Sequence, residues 1–206
     1  MTSGFFMVYS LYPEEGRKIL EMKNENTRLI RMVFGAVLAA MVFVVTMFRF
    51  PLLGSKVHFA NAVCLLCGMF LGPVTGGTAA GMGSFLYDLA LYNEGPINLL
   101  ITFVSKFAMA WVCGMLFRAF GKKRTRMDKL VIACAAGALT YVALYMVKTG
   151  VYGLIAGNMW AAMVSKFPAS IINAGAATVA APLFYTAVMP ALRASGIAKM
   201  LEESRE

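Results

Sequence analysis

The stretch FPLLGSKVHFANAVCLLCGMFLGPVTGGTAAGMGSFLYDLALYNEGP, residues 50–96, holds two apolar runs, 58–71 and 74–92, joined by Gly72-Pro73 alone. Glycine ends the first run and proline opens the second, so two helices joined here must fold back on each other. Gly76, Gly77, Gly81 and Gly83 predict close approach of the second helix to its neighbours, as small-residue interfaces allow in a bilayer. Among the apolar residues lie Lys56, His58, Asn61, Ser84, Asp88 and Glu94. Polar and ionisable groups inside a membrane segment are expensive and therefore functional candidates. The stretch predicts a membrane helical hairpin beside a small polar site.

Composition supports that reading. The chain has 206 residues, 60% hydrophobic and 14% charged, with a mean hydropathy of +0.71. Soluble domains are nearer half apolar, so this is an integral membrane protein. Cys64, Cys67, Cys113 and Cys134 all fall in apolar runs. Cys64 and Cys67 form a C-x-x-C, but no second pair or nearby histidines complete a zinc set, and the four are packing residues. No P-loop glycine-lysine motif, no H-E-x-x-H and no clustered carboxylates occur. Gly81-Met82-Gly83-Ser84 is not a serine-protease motif, and the only histidine lies upstream of that serine. The chain is not expected to be an enzyme or to carry a metal or cofactor.

Six apolar segments stand out: 29–48, 58–71, 74–92, 97–120, 130–147 and 167–192. A helix needs roughly 20 residues to cross a hydrocarbon core of about 30 Å. The second segment is short, which predicts a preceding loop that dips inward, tolerated only where protein or a water-filled cavity surrounds it. The fold class is an all-α six-transmembrane-helix bundle. Residues 1–28 form a cytoplasmic or interfacial segment without the features of a signal peptide, 29–192 the membrane domain, and 193–206 a cytoplasmic tail. The chain reads naturally as starting at Met22.

Lysine and arginine set the orientation. A cytoplasmic N-terminus puts Arg17, Lys18, Lys23, Arg28 and Arg31 inside. With them go Arg118, Lys122, Lys123, Arg124, Arg126 and Lys129 around the loop after the fourth span, and Arg193, Lys199 and Arg205 at the C-terminus. Both termini are thus cytoplasmic. The net charge of +9 then reads as topology and calls for no nucleic-acid partner.

Arg49, Lys56, Lys106, Lys148 and Lys166 remain, at or near the outer end. On the fourth span Asn98, Thr102 and Lys106 share a stripe at i, i+4, i+8, with Lys106 roughly 13 Å deep. Lys106 either pairs with Asp88 or meets a ligand. Tyr141, Tyr145 and Lys148 share a face of the fifth span, although tyrosines near an interface also serve as belt anchors. Residues 149–165 read as a long glycine-broken loop able to fold down as a lid, where Tyr152 and Trp160 could stack on a ring and Asn158 could bond it. Lys166 and Asn173 lie seven apart on the sixth span. His58 opens the second span, where a lone histidine more often satisfies local backbone than binds metal, and with Lys56 and Asn61 it is a candidate for substrate contact.

Gly54, Val57-His58-Phe59-Ala60-Asn61, Gly72-Pro73-Val74-Thr75-Gly76-Gly77, Gly81-Met82-Gly83-Ser84, Asp88, Pro96-Ile97, Phe103 and Lys106 together resemble the substrate-binding S components of energy-coupling factor (ECF) vitamin transporters. The likeness covers residues 29–192 and is closest to the branch with riboflavin-, pyridoxine- and hydroxymethylpyrimidine-type members. It implies six helices, and a water-soluble vitamin or precursor captured outside a bacterial cell between the outer loops and the outer halves of helices four to six. It further implies delivery through a transmembrane T component and two ATPase subunits, which explains the missing P-loop. The small-residue face that docks on the T component corresponds to Ala36 and Ala40, with Gly35 and Ala39 as a neighbouring pair. The chain departs from the family pattern at Lys148, where relatives often have an acidic or neutral group. With Lys106 and Lys166 it makes the pocket basic, which favours a pyridoxine- or pyrimidine-like ring bearing an acidic group over riboflavin. The alternatives are a riboflavin-specific S component, a stand-alone channel or secondary transporter, weakened by the lack of matching halves, and a membrane scaffold without a small ligand, which would leave Lys106 and Asn173 unexplained.

Overall fold

The computed structural model describes residues 14–48, 50–52, 55–57, 59–92, 95–121 and 126–203, with only the backbone described for 14–24, 50–52, 55–57, 92, 202 and 203. Helix α1 runs Glu14–Met47, followed by strands β1 (Phe50–Leu52) and β2 (Ser55–Val57). Helices α2 (Ala60–Leu71) and α3 (Pro73–Tyr87) follow, α3 continuing into one π-helical turn, Asp88–Tyr92. Then come α4 (Pro96–Ala119), α5 (Met127–Ile155), α6 (Met159–Ala194) and the short α7 (Ile197–Glu203). Among the described residues the molecule is all-helical apart from one hairpin. Four helical stretches are long and apolar enough to cross a membrane: Glu25–Met47 of α1, Pro96–Ala119, Met127–Ile155 and Met159–Ala194.

Helix α2 is the centre of the bundle. All twelve of its residues are buried, and it packs on α1, α3, α4 and α6. A helix apolar all round must be enclosed, and this one is. At 1.5 Å per residue it is only about 18 Å long. It ends because Gly72 turns to φ +81°, donating its N–H to the Gly68 carbonyl, a conformation glycine takes without a Cβ penalty. Pro73 then occupies the first position of α3, where its missing N–H costs nothing. One residue therefore reverses the chain, as the apolar runs on either side required.

The glycines of α3 act as expected, by close approach. A Cβ on Gly83 would strike the Ala39 carbonyl of α1, and one on Gly76 the Cys67 carbonyl of α2. The cysteines are core residues: Cys64, Cys67, Cys113 and Cys134 are free and buried, with Cys113 Sγ 3.8 Å from the Leu65 carbonyl.

Three expectations change. The inward-dipping loop before α2 is a two-stranded antiparallel hairpin, with Phe50 opposite Val57. Pro51 fits there because a hairpin strand has an unpaired edge, where a missing N–H is tolerated. Among the described residues α1 is already helical at Glu14, ahead of the apolar run at residue 29. The largest correction concerns residues 149–165, which form no lid loop: α5 continues to Ile155 and α6 starts at Met159. The glycines there hold helices together instead of breaking one. Gly153 lets α6 approach so closely that a Cβ would lie 2.8 Å from Met159 Cα, and the reversal falls on Gly157 at φ +72°.

Candidate functional site

Polar groups from four helices meet in the otherwise apolar interior. Asn61, in the first turn of α2, is 1% exposed, and Lys106 of α4 is 5% exposed. Lys106 Nζ donates to Asn61 Oδ1 and lies 4.0 Å from the centroid of the Tyr141 ring on α5. A cation over a desolvated aromatic face gains from the ring quadrupole. The Tyr141 and Tyr145 rings stack in turn, their centroids 6.1 Å apart and planes 19° from parallel. Ser84 of α3 is buried and lies beside the Cys64 thiol, which is also within electrostatic range of Lys106. An amide and a ring thus hold the ammonium where the sequence left Asp88 as a candidate partner.

A second polar group lies eight residues towards the start of α4. The Tyr152 hydroxyl donates to Asn98 Oδ1 at 2.8 Å, tying the end of α5 to the start of α4. Lys148 Nζ is 6.0 Å from the Tyr152 ring centroid. Thr102, half-buried, stands between Asn98 and Lys106 on α4. The stripe Asn98–Thr102–Lys106 and the stripe Tyr141–Tyr145–Lys148 therefore face each other across the α4–α5 contact. A continuous polar and aromatic track results, able to stack a planar ring and to offer it an ammonium and an amide.

Asn173 of α6 is also buried, and Lys166 is half-buried seven residues before it. Asn158 and Trp160 are not brought in: both are exposed, Trp160 to 73%, at the α5–α6 turn. Of Lys56 only the strand backbone is described, and His58 lies outside the described residues. Sequence reasoning placed Ser84 in the polar set of the hairpin without giving it a role, and missed Tyr152 as the partner of Asn98. The second was signalled by Tyr152 continuing the Tyr141–Tyr145–Lys148 stripe. On α1, Ala36 and Ala40 are exposed, Gly35 is buried 3.6 Å (from an added Cβ) against Leu71, and Ala39 turns its carbonyl to Gly83.

The family model of the ECF-type riboflavin transporter S component matches residues 26–189 of this chain. A solved structure described as "Structure and mechanism of the S component of a bacterial ECF transporter" is similar in fold, with a TM-score of 0.59 at 20% identity. The match covers 79% of this chain and 96% of that one. No curated protein sequence matches.

Proposed function

The chain belongs to the ECF-type riboflavin transporter S component family, and from that membership we propose how it acts as the vitamin-binding subunit of an ECF transporter. It is a transport component and not an enzyme. The substrate is a water-soluble vitamin or precursor with a planar heteroaromatic ring, pyridoxine- or pyrimidine-like. It is captured outside a bacterial cell and lodged among Asn61, Lys106, Tyr141 and Tyr145, with Asn98, Thr102, Lys148, Lys166 and Asn173 around it. The observation that carries this reading is Lys106 held between the Asn61 amide and the Tyr141 ring. An ammonium kept desolvated in that way attracts an acidic phenol, a carboxylate or a phosphate on a ring that stacks on the tyrosines.

Helices α1 to α6 all cross the plasma membrane, with both termini cytoplasmic. Ala36 and Ala40 dock on the transmembrane T component, whose two ATPase partners drive release inside. A second reading, riboflavin as substrate, is favoured by the description of the matching family. Calorimetric titration of the purified chain with pyridoxine, hydroxymethylpyrimidine and riboflavin separates the two. Submicromolar binding of either small ring supports the first reading, and binding of riboflavin alone, seen also as flavin fluorescence quenching, supports the second. No binding of any of the three overturns the ring-vitamin assignment.

A further inference from the structure

Hydroxyls in the helices of this protein are mostly satisfied by their own backbone. Thr46, Ser105, Thr140, Thr149, Ser170 and Thr178, all buried or half-buried, each donate to the carbonyl four residues before, the bond open to any helical serine or threonine. Ser84 of α3 departs from this pattern. It is 3% exposed, yet its Oγ bonds neither the Ala80 carbonyl nor any other group among the described residues. The Cys64 thiol stands beside it, and a thiol is only a weak donor and a weak acceptor. Buried polar groups ordinarily have a partner, and a hydroxyl left without one is costly.

The place of Ser84 gives this hydroxyl a use. Cys64 follows Asn61 by three residues on α2, and side chains at that spacing are neighbours on one face. Ser84 therefore lies about one helical turn from the amide that holds the Lys106 ammonium. Residues 60–87, which include both α2 and α3, contain no charged residue, so the surroundings of Ser84 suit a neutral group and not a second anion. A ring whose anionic group meets Lys106 brings its adjacent substituent towards Ser84. Resting on the small-ring reading above, we propose that Ser84 is a further substrate-contacting residue, whose Oγ hydrogen-bonds a hydroxymethyl group next to the anionic group of the ring and so selects rings that carry one.

The test is calorimetric titration of the full chain with two pairs of compounds. Pyridoxine is compared with 4-deoxypyridoxine, which has a methyl in place of the hydroxymethyl group beside the phenol, and hydroxymethylpyrimidine with its methyl counterpart. The wild type should bind the hydroxymethyl member of a pair about fivefold tighter, the net effect of one neutral hydrogen bond. S84A should bind both members alike, at the weaker affinity. S105A, whose hydroxyl is bonded within its own helix, should keep the preference. Without ligand S84A should melt no lower than the wild type, since it loses no bond. A wild type without preference, a preference that survives in S84A, an equal loss in S105A, or a ligand-free S84A that melts below the wild type overturns the contact and leaves the ring-vitamin reading standing. A wild type that binds none of these compounds overturns the small-ring reading itself, and the contact falls with it.

Discussion

Lys106 places an ammonium in the apolar interior, 5% exposed. Its ammonium is desolvated and held by one amide and one ring face. Truncating it to alanine leaves Asn61 Oδ1 buried without its donor and removes the cation from Tyr141. The cost of orphaning such a group is about 1–3 kcal/mol, so K106A should weaken vitamin binding by roughly one to two decades. Asn173→Ala should cost a similar amount, since it removes a buried amide. Equilibrium binding of both variants checks this, and unchanged affinity in both would take these residues out of the site. Asn61 and Lys106 stood out in the sequence because ammonium and amide groups are rare in apolar helices. How they pair was not, because Asn61 and Lys106 are 45 residues apart and the opposite charge of Asp88 offered the simpler partner.

Among the elements, the α5–α6 pair shows where sequence pattern misleads. Glycine in a polar chain breaks helices, whereas in a bilayer it lets them touch. Gly150 and Gly153, read as breakers of a loop, lie inside α5, and Gly153 is buried against Met159 and Ala162. G153A would place a methyl 3.0 Å from the Ala162 Cβ, an overpacking that costs typically about 1–3 kcal/mol. Gly175, in the middle of α6, has nothing within 4 Å of an added Cβ, and alanine there improves helix propensity by up to about 1 kcal/mol. Thermal unfolding in detergent should therefore show G153A melting below the wild type and G175A no lower than it. If both variants melt alike, Gly153 does not set the α5–α6 approach. Each apolar run falls on a helix, although those of α5 and α6 extend well beyond the runs of 130–147 and 167–192. Gly72-Pro73 fixed the α2–α3 reversal from sequence because its mechanism is local, while the hairpin of residues 50–57 depends on pairing across a turn that apolar runs do not encode.

For the molecule as a whole, the number of crossings turns on the α2–α3 pair, because α2 has only 12 residues and α3 reaches the usual span of roughly 20 only with its π-helical turn. Four crossings with α2–α3 as a re-entrant hairpin, and six with both helices crossing, leave the termini on the same side. They differ in where the α2–α3 turn lies, at mid-membrane or at the inner surface. The neighbours of the turn argue for the surface. Arg118 in the last turn of α4 lies on Gly72, and Arg31, at the start of the apolar run of α1, bonds Leu71. Two cations beside the turn are expensive at the bilayer centre and inexpensive at its boundary. Helix α6, 36 residues long and so about 54 Å, is long enough to put its ends on opposite sides of a membrane. The native cysteines are buried, which gives a quiet background for labelling with a membrane-impermeant maleimide. In intact cells N158C, at the α5–α6 turn, should label, whereas S195C, at the α6–α7 turn, and V74C, at the exposed start of α3, should label only after permeabilisation. A V74C that stays unlabelled on both sides would put the turn inside the membrane and reduce the crossings to four.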